Sequence, residues 1–170
     1  AHRGMKQVDW RPEWNVLDIG CGGGANVKRL LKLCPQGKVY GMDLSEESVA
    51  FARRHNAGEL DRRCFIQQGD VCSLPYGDGA FDAVTAFETV YFWSSVSKAL
   101  AEVFRVIRKG GCFLISLEAS DPELGKAWTE RIKGMTVYGA EELKQLLSQA
   151  GFSDIRVIQK KEELHIVAHK

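Results

Sequence analysis

A glycine-rich run, Asp18-Ile19-Gly20-Cys21-Gly22-Gly23-Gly24, follows the short apolar stretch Asn15-Val16-Leu17. Glycines at such a place let the backbone turn sharply and bring its N–H groups against a ligand with no Cβ in the way. Asp43 closes a second apolar run about 20 residues further on, the distance at which a carboxylate accepts hydrogen bonds from ribose hydroxyls. Gly69-Asp70-Val71 closes a third, offering a carboxylate to the amino group of a base and an apolar side chain to its ring. Past a fourth run come Glu88, Thr89, Tyr91, Phe92 and Trp93, an acid among aromatics suited to the wall of a second substrate, which Glu88 would orient or deprotonate and Tyr91 and Trp93 would flank. The glycine run alone is ambiguous. Gly20, Gly22 and Ala25 also satisfy the dinucleotide pattern G-x-G-x-x-G/A, so a nicotinamide and an adenosyl cofactor both stay open. A nicotinamide enzyme would want a proton donor such as Tyr-x-x-x-Lys, and the chain has none.

These residues have to be positioned by the elements around them. Val27, Leu30, Leu31 and Cys34 recur at helical spacing after the glycines, and Val39 to Leu44 reads as the next strand. Ser45 followed by Glu46 and Glu47 is the N-cap of a helix to about His55. Cys64 to Val71 and Phe81 to Phe87 are two more strands, separated by the turn residues Pro75-Tyr76-Gly77-Asp78-Gly79. Val96, Ala99, Leu100, Val103, Phe104 and Ile107 keep one helix face apolar until Gly110-Gly111, and Cys112 to Leu117 is a fifth strand. Leu143, Leu146, Leu147 and Ala150 predict a helix capped by Gly151. The runs Ile155–Ile158 and Leu164–His169 are too close for a helical crossover, so they form an antiparallel hairpin. Strands alternating with helices imply a mostly parallel sheet covered on both faces, in one domain over 1–170. In such a sheet, ligands bind at the carboxyl ends of the strands, where the residues singled out above lie.

Composition narrows the function. With 23 basic against 22 acidic residues and no basic stripe, nucleic acid is a poor partner. The five cysteines, an odd number without a C-x-x-C pair, fit neither a disulfide framework nor a metal cluster and point to a reducing, cytoplasmic setting. No apolar run reaches the length of a membrane span.

Taken in order, Val16 to Gly24, Gly41-Met42-Asp43-Leu44-Ser45, Gly69-Asp70-Val71, Leu74-Pro75-Tyr76 leading to Phe81-Asp82-Ala83-Val84, and Glu102 to Gly111 resemble the motif series of class I S-adenosylmethionine-dependent methyltransferases. The resemblance runs from about residue 15 to the end. It implies a Rossmann-like, doubly wound α/β fold with a seven-stranded, mostly parallel sheet whose last strand inserts antiparallel. It also implies S-adenosylmethionine as cofactor, S-adenosylhomocysteine as product and no metal. Gly20, Cys21, Gly22 and Gly24 would then face the methionine part of the cofactor, with Asp18 ordering the loop. Asp43 would hold the ribose and Leu44 the adenine face; Asp70 and Val71 would meet the adenine amino group and ring, and the Phe87 backbone the methionine amino group. The family usually carries an N-terminal helical cover for the acceptor, whereas 1–14 is short, so the lid is expected to be partial and completed by segments such as Asp121 to Met135.

Methyl transfer from a sulfonium depends chiefly on holding donor and acceptor in line, with a general base needed only for an acceptor that must lose a proton. Ala86-Phe87-Glu88-Thr89 is unlike the Asn/Asp-Pro-Pro-Tyr/Phe of amino-methylating nucleic-acid enzymes, so a small-molecule acceptor is the leading reading. A cofactor-binding module without turnover, or a protein or RNA acceptor, is the alternative. Glu118 and Tyr138 are further candidates for the acceptor pocket. Cys21 suits its loop by small size rather than reactivity, Arg53-Arg54-His55 is a solvated helix face, and His165 and His169, lacking an evident carboxylate partner, are expected to face solvent rather than hold a metal.

Overall fold

The computed structural model describes residues 1–170. One sheet of seven strands runs through the molecule in the order β3-β2-β1-β4-β5-β7-β6. β1 (Val16–Ile19), β2 (Val39–Asp43), β3 (Cys64–Gln68), β4 (Phe81–Phe87) and β5 (Ile107–Leu117) are parallel. β7 (Glu163–His169) pairs antiparallel with β5 on one side and with β6 (Ser153–Lys160) on the other. All four residues of β1 are buried, the pattern of a central strand covered on both faces.

Helices α2 (Ala25–Leu33) and α3 (Glu46–His55) cover one face, together with the short α1 (His2–Met5). Val27, Leu30, Val49 and Ala52 pack there on Val16, Ala83 and Leu114, and Met5 and Val8 bring the first residues of the chain into the same layer. Helices α4 (Val96–Val106) and α6 (Ala140–Gln149) cover the other face through Leu100, Val103, Leu143 and Leu147. No helix is long and apolar enough to cross a membrane.

The order of the strands locates the site. β1 lies between β2 and β4, so the chain winds one way from β1 to β3 and the other way from β4 onward. Ile19 is flanked by Met42 and Ala86, and the crevice at this reversal opens past those three strand ends.

Three boundaries differ from the reading of the sequence. Helix α4 ends at Val106, because Ile107 is buried as a strand residue opposite Phe81 rather than on a helix face. The extra residues before Cys112 are taken up by a register shift between Phe81 and Ala83, with Gly110 in the left-handed region and Arg108 bonded to Asp82. β3 stops at Gln68, leaving Gly69-Asp70-Val71 as its exit turn. The closing hairpin is longer than expected, Lys160 pairing with Glu163 across a two-residue turn that puts Lys161 at φ +57°.

His165 corrects an expectation. It is buried, its Nδ1 lies 3.0 Å from the Ser116 hydroxyl on β5, and its Nε2 lies 3.2 Å from Glu163. Register, which puts Ser116 opposite His165, supplies the partners that sequence spacing did not show. The ring of His169 reaches only Asp154.

Candidate active site

The crevice holds a cleft of about 330 Å³ with two unlike walls. Gly20, Met42, Asp43, Leu44, Gly69 and Val71 form the wall at the exits of β1 to β3; Glu88, Thr89, Phe92 and Trp93 form the other, past β4.

The first wall is made largely of backbone. The N–H groups of Gly20 and Cys21 both donate to the Met42 carbonyl, at 2.7 and 3.0 Å, locking the exit of β1 to the end of β2. Gly20, Gly22 and Gly24 all have positive φ, at 67°, 50° and 78°. A Cβ on Gly20 would lie 2.1 Å from the Thr89 hydroxyl oxygen, so the loop passes against the opposite wall at a distance only glycine allows. Asp43 ties this loop to the next helix: one carboxylate oxygen accepts from the Gly22 N–H at 2.8 Å, the other from the Ser45 N–H at 2.9 Å. Each oxygen keeps a second lone pair. Ser45 caps α3, its hydroxyl accepting from the Ser48 N–H at 3.2 Å. Leu44 presents its side chain to solvent, 62% exposed, beside Asp43, and Val71 is buried across from it.

Asp18 lies beneath the glycine loop, fully buried. One of its oxygens accepts from the Thr85 hydroxyl at 2.6 Å and the other has no hydrogen-bond partner. Burial, and secondarily the nearby charge of Asp43, pushes its pKa up to about 7. The Cys21 thiol is also driven up by burial and by both carboxylates. It packs inward beside Gly41, and with its proton held so firmly it is no nucleophile.

Asp70 sits outside the cleft lining at the exit of β3, where its carboxylate accepts from the Cys72 N–H at 2.8 Å. Phe87 is buried in the layer under α2 and brings only its backbone to the end of β4.

The second wall depends on side chains. Glu88 has φ +55°, an uncommon conformation for a residue with a side chain and one that concentrates at functional sites. One carboxylate oxygen accepts from the Tyr91 hydroxyl at 3.0 Å and from the Glu118 N–H at 3.1 Å; the other is buried without a partner. Burial raises its pKa. The Tyr91 hydroxyl in turn accepts from the Ala119 N–H at 2.9 Å. Glu88 and Tyr91 therefore use their side chains to hold the start of the loop after β5. Phe92 is half exposed at the wall, and Trp93 lies nearly parallel to Phe113 with its indole N–H buried and unpaired. Glu118 is exposed; Tyr138 is buried in the core instead of lining the cleft.

Sequence reasoning singled out both walls but missed Thr85 and the ties from Glu88 and Tyr91 to 118–119. Thr85 becomes the partner of Asp18 only through the register of β4 on β1, which no local pattern announces.

Comparison with known proteins agrees with this geometry. The methyltransferase-domain family matches residues 17–115. A demethylmenaquinone methyltransferase of Symbiobacterium thermophilum is 36% identical over 120 residues, 69% of this chain and 47% of that protein. A fatty-acid O-methyltransferase of Mycolicibacterium smegmatis is 38% identical over 100 residues, 58% of this chain and 35% of that one. The structure of a methyltransferase from Aquifex aeolicus, described as dependent on S-adenosylmethionine, superimposes with a TM-score of 0.81 at 26% identity, covering 98% of this chain and 87% of that one. The chain spans about half the length of the curated relatives it matches. Strand order, glycine loop and family match together establish that the chain belongs to the methyltransferase-domain family.

Proposed function

We propose that the chain binds S-adenosylmethionine in the cleft and catalyses transfer of its methyl group to a small-molecule acceptor entering beside Glu88 to Trp93. The carrying observation is Asp43, a carboxylate at the end of β2 that joins the glycine loop to α3 and keeps free lone pairs beside an exposed Leu44. That is the chemistry of a ribose and an adenine face. The unpartnered oxygen of Asp18 adds a second fit, because a positive group in the cleft lowers the cost of keeping this buried acid ionised. The relatives above, named for a quinone precursor and a fatty acid, support a small organic acceptor.

When bound, the cofactor supplies a methyl group already activated by its positive sulfur. The protein's own residues then have three tasks. The glycine loop and Asp43 fix the donor, Thr89 and Gly20 close the cleft from opposite sides at a spacing that admits no extra atom, and Phe92 and Trp93 exclude water from the acceptor's approach. Glu88, raised in pKa, is suited to receive a proton from an acceptor that loses one.

Titration calorimetry and thermal unfolding with S-adenosylmethionine, S-adenosylhomocysteine and NADH test the cofactor. The first two should raise Tm and NADH should leave it unchanged. Asp43→Ala, still folded, should weaken cofactor binding by about 1.5–3 kcal/mol, the range for a hydrogen bond to a charged group. Stabilisation by NADH alone, or unchanged affinity in the Ala variant, would overturn the assignment. For the acceptor, small nucleophiles are screened for methyl transfer and Trp93→Ala is compared with the parent at saturating cofactor; methylation of macromolecules alone would refute a small-molecule acceptor.

A further inference from the structure

The residues between β5 and α6 form a segment that the proposed chemistry has not used. Its two ends are fastened to the second wall of the cleft. The N–H groups of Glu118 and Ala119 donate to Glu88 and to the Tyr91 hydroxyl, and the Thr136 N–H donates to the Tyr91 carbonyl at 2.8 Å. Between these ties, from Asp121 to Met135, Gly125 is the only buried residue. A segment so little packed has low local stability and moves easily about its fastened ends.

Its sequence is not that of a solvated loop. Leu124, Trp128 and Ile132 recur at i, i+4 and i+8 and are 59%, 53% and 38% exposed. Backbone bonds from Gly125 N–H to Asp121, Thr129 N–H to Gly125 and Ile132 N–H to Trp128, at 2.8 to 3.0 Å, place helical turns on both sides of the short α5 (Lys126–Thr129). At about 100° per residue the three apolar side chains and Gly125 share roughly one quadrant of the helix. Gly125 is where the segment meets the body, its missing Cβ leaving room for Val137. The apolar stripe therefore borders the side by which the segment is attached, and Phe92, 47% exposed, stands on the wall that holds both of its ends.

We propose that this stripe, with Phe92, binds the apolar body of the methyl acceptor, so that the acceptor is a lipophilic small molecule carrying an alkyl chain. The inference rests on the reading of the cleft as a methyl-transfer site. Charge favours a small lipophile over a bilayer. The segment's three acids, Asp121, Glu123 and Glu130, balance its three bases, Lys126, Arg131 and Lys133, whereas a helix that lies on a membrane is rich in cations. Leu124, Trp128 and Ile132 lie outside the lining of the cleft, but both ends of their segment are tied to its wall, which keeps the stripe within reach of a ligand there rather than of a distant partner.

The test is calorimetric titration of straight-chain alkanols from hexanol to decanol, below their solubility limits, into the free protein and into protein saturated with S-adenosylhomocysteine. Affinity should rise up to about fourfold with each methylene, the increment for one buried CH₂ group. The triple variant Leu124→Ser, Trp128→Ser, Ile132→Ser alters only exposed positions. It should lose most of this chain-length dependence while keeping its circular dichroism and its affinity for S-adenosylhomocysteine. Affinity independent of chain length, or a triple variant that keeps the dependence, overturns the proposal. So does binding of the parent to phosphatidylcholine vesicles without binding of monomeric alkanol, or a parent dimer in sedimentation that the variant abolishes. Failure to bind S-adenosylhomocysteine would refute the cofactor assignment instead, and the alkanol titration of the free protein would still decide the stripe.

Discussion

The two walls of the cleft are built by different means. The wall at β1 to β3 is fixed by backbone: three glycines with positive φ, two N–H groups on the Met42 carbonyl, and one carboxylate that accepts from two further N–H groups. The wall past β4 is fixed by side chains reaching to another loop, Glu88 and Tyr91 holding 118–119, and beyond it lies a segment with almost nothing buried. A wall of backbone suits a ligand that never changes, and a wall of side chains and loops can be altered one residue at a time to suit a different acceptor.

Breaking the comparison at its stiffest point should give the largest effect. Gly20→Ala forces a Cβ to within 2.1 Å of the Thr89 oxygen and 2.5 Å of its Cβ, at φ +67°. Overpacking and the left-handed backbone should together cost about 2–5 kcal/mol of stability and abolish measurable cofactor binding. Adding Thr89→Gly removes the clash but not the backbone penalty, so the double variant should recover all but about 1–2 kcal/mol. Chemical denaturation of the parent, Gly20→Ala, Thr89→Gly and the double variant reads this, and a Gly20→Ala protein as stable as the parent would show that the loop is not held as described.

Asp18 supplies the next effect. Its carboxyl titrates near 4 in an unfolded chain and at about 7 in the folded one, so the native state holds the proton more tightly. The contribution is therefore fully present below about pH 4 and is lost as pH rises to about 7, by up to about 4 kcal/mol at 1.36 kcal/mol per unit. In Asp18→Asn this part of the pH dependence should vanish. Denaturation of parent and variant at intervals from pH 4 to 8 gives the difference between them, and parallel curves would mean that the acid is ionised throughout.

The same contrast explains what the sequence disclosed. Gly20, Asp43 and Val71 lie at or just past the ends of their strands, so residue type and spacing were enough to single them out. The parallel sheet and closing hairpin were legible for a similar reason, since apolar runs and glycine stops are local signals. Ile107 was misread because one apolar residue fits a helix face and a strand equally well until its neighbour Phe81 is known. Thr85, Ser116 and the Glu88 ties depend on register between strands far apart in the chain. The stripe of Leu124, Trp128 and Ile132 was legible as spacing, but Asp121 to Met135 was singled out only as a segment completing the lid, without its apolar positions.

The mildest test of the comparison is Tyr91→Phe, which leaves the backbone wall untouched. The Tyr91 ring is 4% exposed, and its hydroxyl donates to Glu88 while accepting from Ala119. Removing one oxygen from this buried position leaves the Ala119 N–H unpaired and takes one of two donors from the Glu88 oxygen. The expected cost is about 1–3 kcal/mol of global stability, the penalty for a buried polar group without its partner. Loss of the Tyr91 bond also removes an interaction that lowers the Glu88 pKa, so that pKa should rise further above the ordinary carboxylate range, where burial already holds it. Because the cleft's first wall shares none of these bonds, affinity for S-adenosylhomocysteine should stay within about twofold of the parent, while amide exchange at Ala119 and through Asp121 to Met135 accelerates. A variant that loses cofactor affinity as strongly as it loosens the segment Asp121 to Met135 would show that the two walls are one cooperative unit.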